Sequence, residues 1–308
     1  MDLQTALLAV DEMMYQIVDT DVDVLREASR HILMAGGKRV RPRLAFLSFQ
    51  AVGGADLARM VPVAASLELI HTATLVHDDI NDHGTMRRNR PTVNAIWGRT
   101  FALLTGDFLF TKVYQLMAPL SELNTILAQA TTRLVEGEAL QTQAAKQGVL
   151  NHALYFDIIA RKTASLFEAA ARLGATAGGG THEQVNTLAA YAFNVGLAFQ
   201  IVDDVLDLIA DSQRLGKTAG QDVAQGKGFA VALGGGNGGA AVATVDIDAQ
   251  DPMDVLKYQM LAGDYITRGQ RKARELVSEA IDHLSLLPSS PAVDALESLA
   301  WQMVERDR

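Results

Sequence analysis

At 308 residues and a formal net charge of −9, the chain is long enough for a large core and too acidic for generic nucleic-acid binding, which needs a basic patch or stripe. Cysteine is absent, which excludes a disulfide framework or thiolate site and fits a reducing cytoplasm. Aromatic residues make up 6% and prolines number 7, against abundant alanine and leucine, so the expected fold class is all-α.

From Leu3 to about Met34 the apolar residues Leu7, Val10, Met14, Ile17 and Val18 recur at helical spacing, and the region ends at Gly36-Gly37, where glycine takes a left-handed cap. Met1-Asp2-Leu3-Gln4 lacks the character of a signal peptide. Lys38-Arg39-Val40-Arg41-Pro42-Arg43 puts four cations in six residues, either a solvated turn or a diphosphate clamp using arginine forks and helix-start amides. Leu44 to Val52 reads as an apolar helix broken by Gly53-Gly54. A longer one runs from about Leu57 to Asp82 and ends in Asp78-Asp79-Ile80-Asn81-Asp82. Asp78 and Asp82 share a helix face, and His71, seven positions earlier, lies nearly on it. A histidine there is a hydrogen-bonded core residue or a contact for a substrate diphosphate, in preference to a metal ligand.

The stretch from His83 to Asn94 reads as a loop carrying Arg87, Arg88 and Arg90, cations placed to meet an anionic substrate beside the first aspartates. Helices follow over Ala95 to Met117, Thr125 to Gln147 with Glu136-Gly137-Glu138 inside it, and about Asn151 to Leu173. The last carries Arg161-Lys162-Thr163 between apolar flanks, which turns Lys162 toward a cleft. Gly178-Gly179-Gly180 closes this block and Thr181 caps the next helix.

In that helix Gln200, Asp203, Asp204 and Asp207 fall at i, i+3, i+4 and i+7, one polar stripe on an otherwise apolar cylinder. Carboxylates on a buried stripe cost several kcal/mol each unless cations answer them. Beyond it, Gly216-Lys217 to Gly226-Lys227 reads as a flexible basic lid over a charged substrate. The glycine density between Lys227 and Asp246 reads as loop and not as a membrane span, giving an irregular segment over about 228–250. Amphipathic helices return from Pro252, broken near Pro288 and Pro291. No linker interrupts the chain, so residues 1–308 form one domain.

Two D-D-x-x-D clusters, each ending an apolar helical run, can face each other across a cleft. Carboxylate oxygens without cysteine suit magnesium better than zinc, and magnesium keeps water and phosphate oxygens in its shell, so the expected ligand is phosphorylated.

These segments together resemble the trans-polyprenyl diphosphate synthases, head-to-tail isoprenoid chain elongators. The resemblance rests on Gly36-Gly37-Lys38-Arg39-Val40-Arg41-Pro42, both aspartate motifs, Arg87-Arg88, Lys162-Thr163, Gly196 to Asp207 and Gly216-Lys217 to Asp222, in order along nearly the whole chain. It implies a single-domain helical bundle around a deep central cavity, a homodimer, and about three magnesium ions per site, with manganese as a substitute. Asp78, Asp82 and Asp203 would bind the metal, with Asp79, Asp204 and Asp207 as further ligands or their support. Arg87, Lys162 and Lys217 would hold the allylic diphosphate, and Lys38, Arg41, His71 and Arg88 isopentenyl diphosphate. Thr163 and Gln200 would line the place where the cation develops, and Lys227 is a further substrate contact whose role the glycine-rich continuation leaves open.

In this family bulky residues just before the first aspartate motif stop the growing tail. Here those positions are Ala73 and Thr74, both small, with Ile70 and Leu67 as a deeper floor. The expected product is beyond C20, about C30 to C50, set by how much tail the cavity admits. Shorter products of C15 to C20, a class I terpene cyclase and a non-catalytic synthase subunit are the alternatives. The cyclase would not need the Lys38–Arg41 clamp, and the subunit would have lost carboxylates. The enzyme is expected to be cytoplasmic, without a transmembrane segment, and to touch a membrane only peripherally during product release.

Overall fold

The computed structural model describes residues 1–209, 227–234 and 264–305. Among them the chain is helical apart from one two-residue-stranded hairpin, as the all-α expectation requires. The N-terminal region is two helices, α1 (Leu3–Ile17) and α2 (Asp23–Leu33). Between them Thr20 Oγ1 accepts the Val22 N–H at 3.3 Å, a local side-chain bond that competes with helix continuation. Helix α3 (Val40–Ala51) starts after Arg39, whose φ of 47° is left-handed, and α4 (Val61–Asn81) follows a 3₁₀ turn at Leu57–Met60. Leu67, Leu69 and Ile70 of α4 are wholly buried, each contributing about 1.5–3 kcal/mol relative to exposure.

The arginine-bearing loop contains the hairpin β1 (Met86–Arg87) and β2 (Arg90–Pro91). Its two turn residues, Arg88 and Asn89, have φ of 50° and 60°, the backbone of a tight hairpin turn with right-handed strand twist. Helix α5 (Val93–Met117) is interrupted at Gly98, and α6 is Ser121–Gln147. The helix expected over Asn151–Leu173 is three pieces: α7 (His152–Ile159), a π-helical turn (Ala160–Ala164) and α8 (Ser165–Ala177). Helix α9 (His182–Ile209) starts in a capping box. Thr181 Oγ1 accepts the Gln184 N–H at 3.2 Å, and the Gln184 side chain accepts the Thr181 N–H at 2.9 Å.

The irregular segment expected over 228–250 is corrected at its start, because Phe229–Gly234 forms a short helix, α10. Its first N–H donates to Asp204 at 3.0 Å and Phe229 is buried, which is enough to close one turn of an otherwise glycine-bordered sequence. Residues 235–250 lie outside the described residues. Helices α11 (Tyr265–Leu284) and α12 (Pro291–Val304) complete the described chain.

Helix α9 packs between α8 and α11, α4 lies along α5, and α3 crosses α8. The stretches Leu57–Asn81 and His182–Asp207 are long and apolar enough to cross a membrane, but 72% and 67% of their most apolar windows are buried against the rest of the protein, so both read as core helices of the bundle.

Candidate active site

The ends of α4 and α9 bring the two aspartate clusters to one cavity of about 360 Å³, bordered by Asp78, Asp79, Asp82, Asp203 and Asp204. A second cavity of about 300 Å³ adjoins it and is walled by Thr74, Phe110, Leu134, Val135, Leu166 and Phe199, among others. Leu75, Asp78, Lys162, Thr163, Gln200 and Asp203 border both, so the polar space meets the more apolar one at these six side chains.

The π-turn sets the position of Lys162 and Thr163. The backbone of this wide turn has close neighbours on two sides. Gly137 of α6 and Gly196 of α9 provide them: a Cβ on Gly137 would stand 2.5 Å from Lys162 N, and one on Gly196 2.7 Å from Ala164 Cα. Thr163 donates to Gln200 Oε1 at 2.7 Å, and Gln200 Nε2 donates to Asp204 Oδ1 at 2.8 Å, which fixes the amide with its oxygen at the boundary between the cavities.

On the first wall every aspartate faces a cation. Lys162 Nζ stands 3.8 Å from Asp78 Oδ2 and 2.5 Å from Glu138 Oε2. Burial on its own would lower the Lys162 ammonium, but Asp78 and Glu138 outweigh it and raise it above its ordinary value. Burial pushes the Asp78 carboxyl up to about 6, with Lys162 opposing and Glu138 and Asp82 adding to the rise. Arg87 grips Asp79, Nε at 2.9 Å and Nη2 at 2.8 Å from Oδ1. Lys227 Nζ donates to Asp82 Oδ1 at 2.6 Å, which gives Lys227 a defined place in the site.

On the second wall, among the described residues, Asp204 accepts from the Tyr155 hydroxyl at 2.7 Å, Gln200 Nε2 and the Phe229 N–H. Asp203 borders both cavities. Asp207 is 1% exposed and borders neither.

The expected isopentenyl diphosphate residues divide. Arg88 and His71 line a small hollow with Arg39, Glu68 and Arg87, and the Arg88 guanidinium lies against Gly37. Burial pushes the His71 imidazole well below its ordinary 6.5, and Arg41, Arg88, Arg87 and Arg39 add to it, so His71 is neutral. Arg41 borders the second cavity, as His71 also does, with its guanidinium 4.8 Å above the Phe167 ring, and Arg88 also borders the first cavity. Its buried Nε has no hydrogen-bond partner among the described residues, and burial lowers it to about 10. Lys38 is exposed and borders none of these spaces. Arg39 is engaged elsewhere in the basic segment, Nε on Asp11 and Nη1 on Glu68, both at 2.7 Å. Lys217 lies outside the described residues.

Of the residues expected to set chain length, Thr74 borders the second cavity, whereas Ala73, Ile70 and Leu67 are buried and border neither cavity. Ala73 lies one turn before His77, which borders the second cavity and whose ring packs so close to Gly106 of α5 that a Cβ there would stand 2.2 Å from Nε2, so Ala73 lies behind that wall. Sequence reasoning passed over Glu138, Tyr155 and Glu68. The Glu136-Gly137-Glu138 step in α6 was the available signal for the first, and a lone charge within the apolar run of α4 for the last.

Among the described residues, no three histidine or acidic side chains gather into a ready-made metal site. The donor set nonetheless fits hard divalent ions: carboxylate oxygens from two helices border one cavity, with oxygen-bearing neutral side chains and cations around it and no sulfur.

A polyprenyl synthetase family model matches residues 22–234. Octaprenyl diphosphate synthase of Haemophilus influenzae is 36% identical over 299 residues, spanning 94% of this chain and 91% of its own. The short chain isoprenyl diphosphate synthase of Methanothermobacter thermautotrophicus is 39% identical over 226 residues, 71% of this chain and 69% of its own. The crystal structure of polyprenyl synthase from Caulobacter crescentus, complexed with calcium and isoprenyl diphosphate, superposes with a TM-score of 0.91 at 31% identity, covering 99% of this chain and 96% of that one.

Proposed function

The chain belongs to the polyprenyl synthetase family and is a prenyltransferase, and from that premise we propose that it condenses isopentenyl diphosphate with an allylic prenyl diphosphate to an all-trans product of about C30 to C50. The observation that carries this reading is the meeting of a polar, carboxylate-walled cavity with a more apolar one at Lys162, Thr163 and Gln200. A diphosphate fits the first and a prenyl tail the second, with the breaking C–O bond between them.

Asp78 and Asp82 on one wall and Asp203 on the other would hold magnesium ions, which would supply Lewis acidity to the leaving diphosphate. Arg87 and Lys162 neutralise charge that accumulates on the leaving group. The Thr163–Gln200 pair offers oxygen lone pairs where the allylic cation develops, without a nucleophile that would trap it. The aliphatic and aromatic walls behind it keep water away. Arg88, Arg41 and neutral His71 orient the second diphosphate, His71 as a hydrogen-bond donor, so that its double bond faces the cation. The double bond attacks the allylic cation to form the new C–C bond, and transfer of a proton from the resulting cation to the released diphosphate completes one C5 extension.

Support for a long product comes from the small side chain at Thr74 and from the full-length likeness to an octaprenyl synthase. A homodimer is supported by α5, which exposes Ile96, Phe101, Leu103, Leu104 and Tyr114 along its length, and light scattering of the purified protein tests it. A soluble, cytoplasmic enzyme fits the cysteine-free composition. The deciding experiment incubates the protein with magnesium, labelled isopentenyl diphosphate and farnesyl or geranylgeranyl diphosphate, with a chelator control, and weighs the products. A metal-dependent ladder ending beyond C20 is expected. A ladder ending at C15 or C20 from a shorter primer would overturn the product length, and no incorporation by folded protein with any primer would overturn the reaction.

A further inference from the structure

The Glu136-Gly137-Glu138 step of α6 straddles the π-turn: Glu136 pairs with Arg161 at 3.0 Å, Gly137 lies against the Lys162 backbone, and Glu138 takes the Lys162 ammonium at 2.5 Å. Glu138 borders the second cavity but not the carboxylate-walled one, so it draws Lys162 toward the second cavity. The same ammonium stands 3.8 Å from Asp78 Oδ2, outside hydrogen-bonding distance. Lys162 is thus shared unequally between two carboxylates. By contrast Asp79 and Asp82 are in direct contact with Arg87 and Lys227.

We propose that Glu138 is a positioning residue: it holds the Lys162 ammonium off Asp78 and so keeps the Asp78 oxygens available to a divalent cation, while leaving Lys162 at the junction of the two cavities. An ammonium with one carboxylate removed moves onto the other, because a partly buried cation without a close counter-charge is costly. Without Glu138, Lys162 closes on Asp78 and competes with the metal there. Glu138 acts through Lys162 and touches no reacting atom. The inference rests on the reading of Asp78 as a metal ligand.

The test is manganese binding, followed by the electron paramagnetic resonance signal of the free ion, on the wild type, Glu138→Gln, Lys162→Met and the double variant, each checked by circular dichroism. Glu138→Gln should weaken manganese binding about three- to tenfold. The double variant should recover at least wild-type affinity, since no ammonium is left to close on Asp78. Glu138→Asp, which keeps the charge, should fall between wild type and Glu138→Gln and serves if the glutamine variant folds poorly. In turnover, Glu138→Gln should raise the magnesium concentration for half-maximal rate more than it lowers the rate at saturating magnesium. Unchanged manganese affinity in Glu138→Gln, or no recovery in the double variant, would overturn this inference and leave the prenyltransferase reading standing. Absence of manganese binding by the wild type would overturn the assignment of Asp78 itself, and this inference with it.

Discussion

The two aspartate walls carry the same D-D-x-x-D spacing, but their partners among the described residues differ. On α4 each carboxylate faces a cation: Asp78 Lys162, Asp79 Arg87 and Asp82 Lys227. On α9 Asp204 is held by a tyrosine hydroxyl, an amide and a backbone N–H. The second aspartate of both motifs is buried and engaged by protein donors, whereas Asp78 and Asp203, the first of each, border both cavities. Equal spacing therefore yields unequal placement: the first positions lie at the junction of the two cavities, and the second positions, which border the first cavity alone, tie neighbouring segments to it. Arg87 on β1 is tied through Asp79, and α10 through Asp204.

Substitutions can break that comparison. The largest effect is expected from Asp78→Asn and Asp203→Asn, which should lower the rate about 10³-fold with the helical signal unchanged, since each removes a carboxylate that faces the leaving diphosphate. Steady-state kinetics with a magnesium titration checks this, and a loss under tenfold in either would undo the assignment of the first positions. Next, Asp204→Asn should cost about 1–3 kcal/mol of stability, because one of its oxygens becomes an amino group facing donors. Its magnesium requirement should change less than that of Asp203→Asn. Equal shifts in the two variants would mean that Asp204 also binds metal.

A smaller, qualitative effect separates Thr74 from Ala73. Thr74→Phe should shorten the product by one or more isoprene units in mass analysis, because it points into the second cavity. Ala73→Phe should act mainly through stability, because the position is fully buried and borders neither cavity. Shortening by Ala73→Phe alone would reverse this assignment.

The smallest effect concerns His71. Its folded value lies below the ordinary 6.5, so the unfolded chain takes up a proton first as pH falls. Stability from the neutral, buried ring is complete above about 6.5 and is lost as pH drops through the folded value. The fall in Tm on going from about pH 7.5 to pH 5.5 should therefore be smaller in His71→Gln, by about 2 °C. An identical fall would show that His71 is not held neutral.

Much of this site was legible in the residue order. Charges that interrupt apolar helices stand out, which is why Asp78, Asp203 and Lys162 could be picked out, and the i, i+4 step from Gln200 to Asp204 became a hydrogen bond. What stayed hidden depends on rotation and on distant partners. Helix α4 is apolar nearly all round, so periodicity could not say whether Ala73 or Thr74 turns to the cavity. The division of the basic segment, with Arg39 committed to Asp11 and Glu68 while Arg41 keeps an unpartnered Nε, follows from contacts about thirty residues apart and from the left-handed backbone at Arg39. Tyr155 reaches Asp204 across 49 positions, a pairing that no local pattern announces. The π-turn at Lys162 depends on Gly137 and Gly196 from two other helices.

Whether the first aspartate of each motif meets the metal while the second holds the scaffold is decided by anomalous diffraction from crystals grown with manganese and inorganic diphosphate. Peaks between Asp78–Asp82 and Asp203, with Asp204 still bonded to Tyr155 and the Phe229 N–H, are the predicted result. Manganese coordinated by Asp204 or Asp79, or bound away from the α4 and α9 carboxylates, would contradict it.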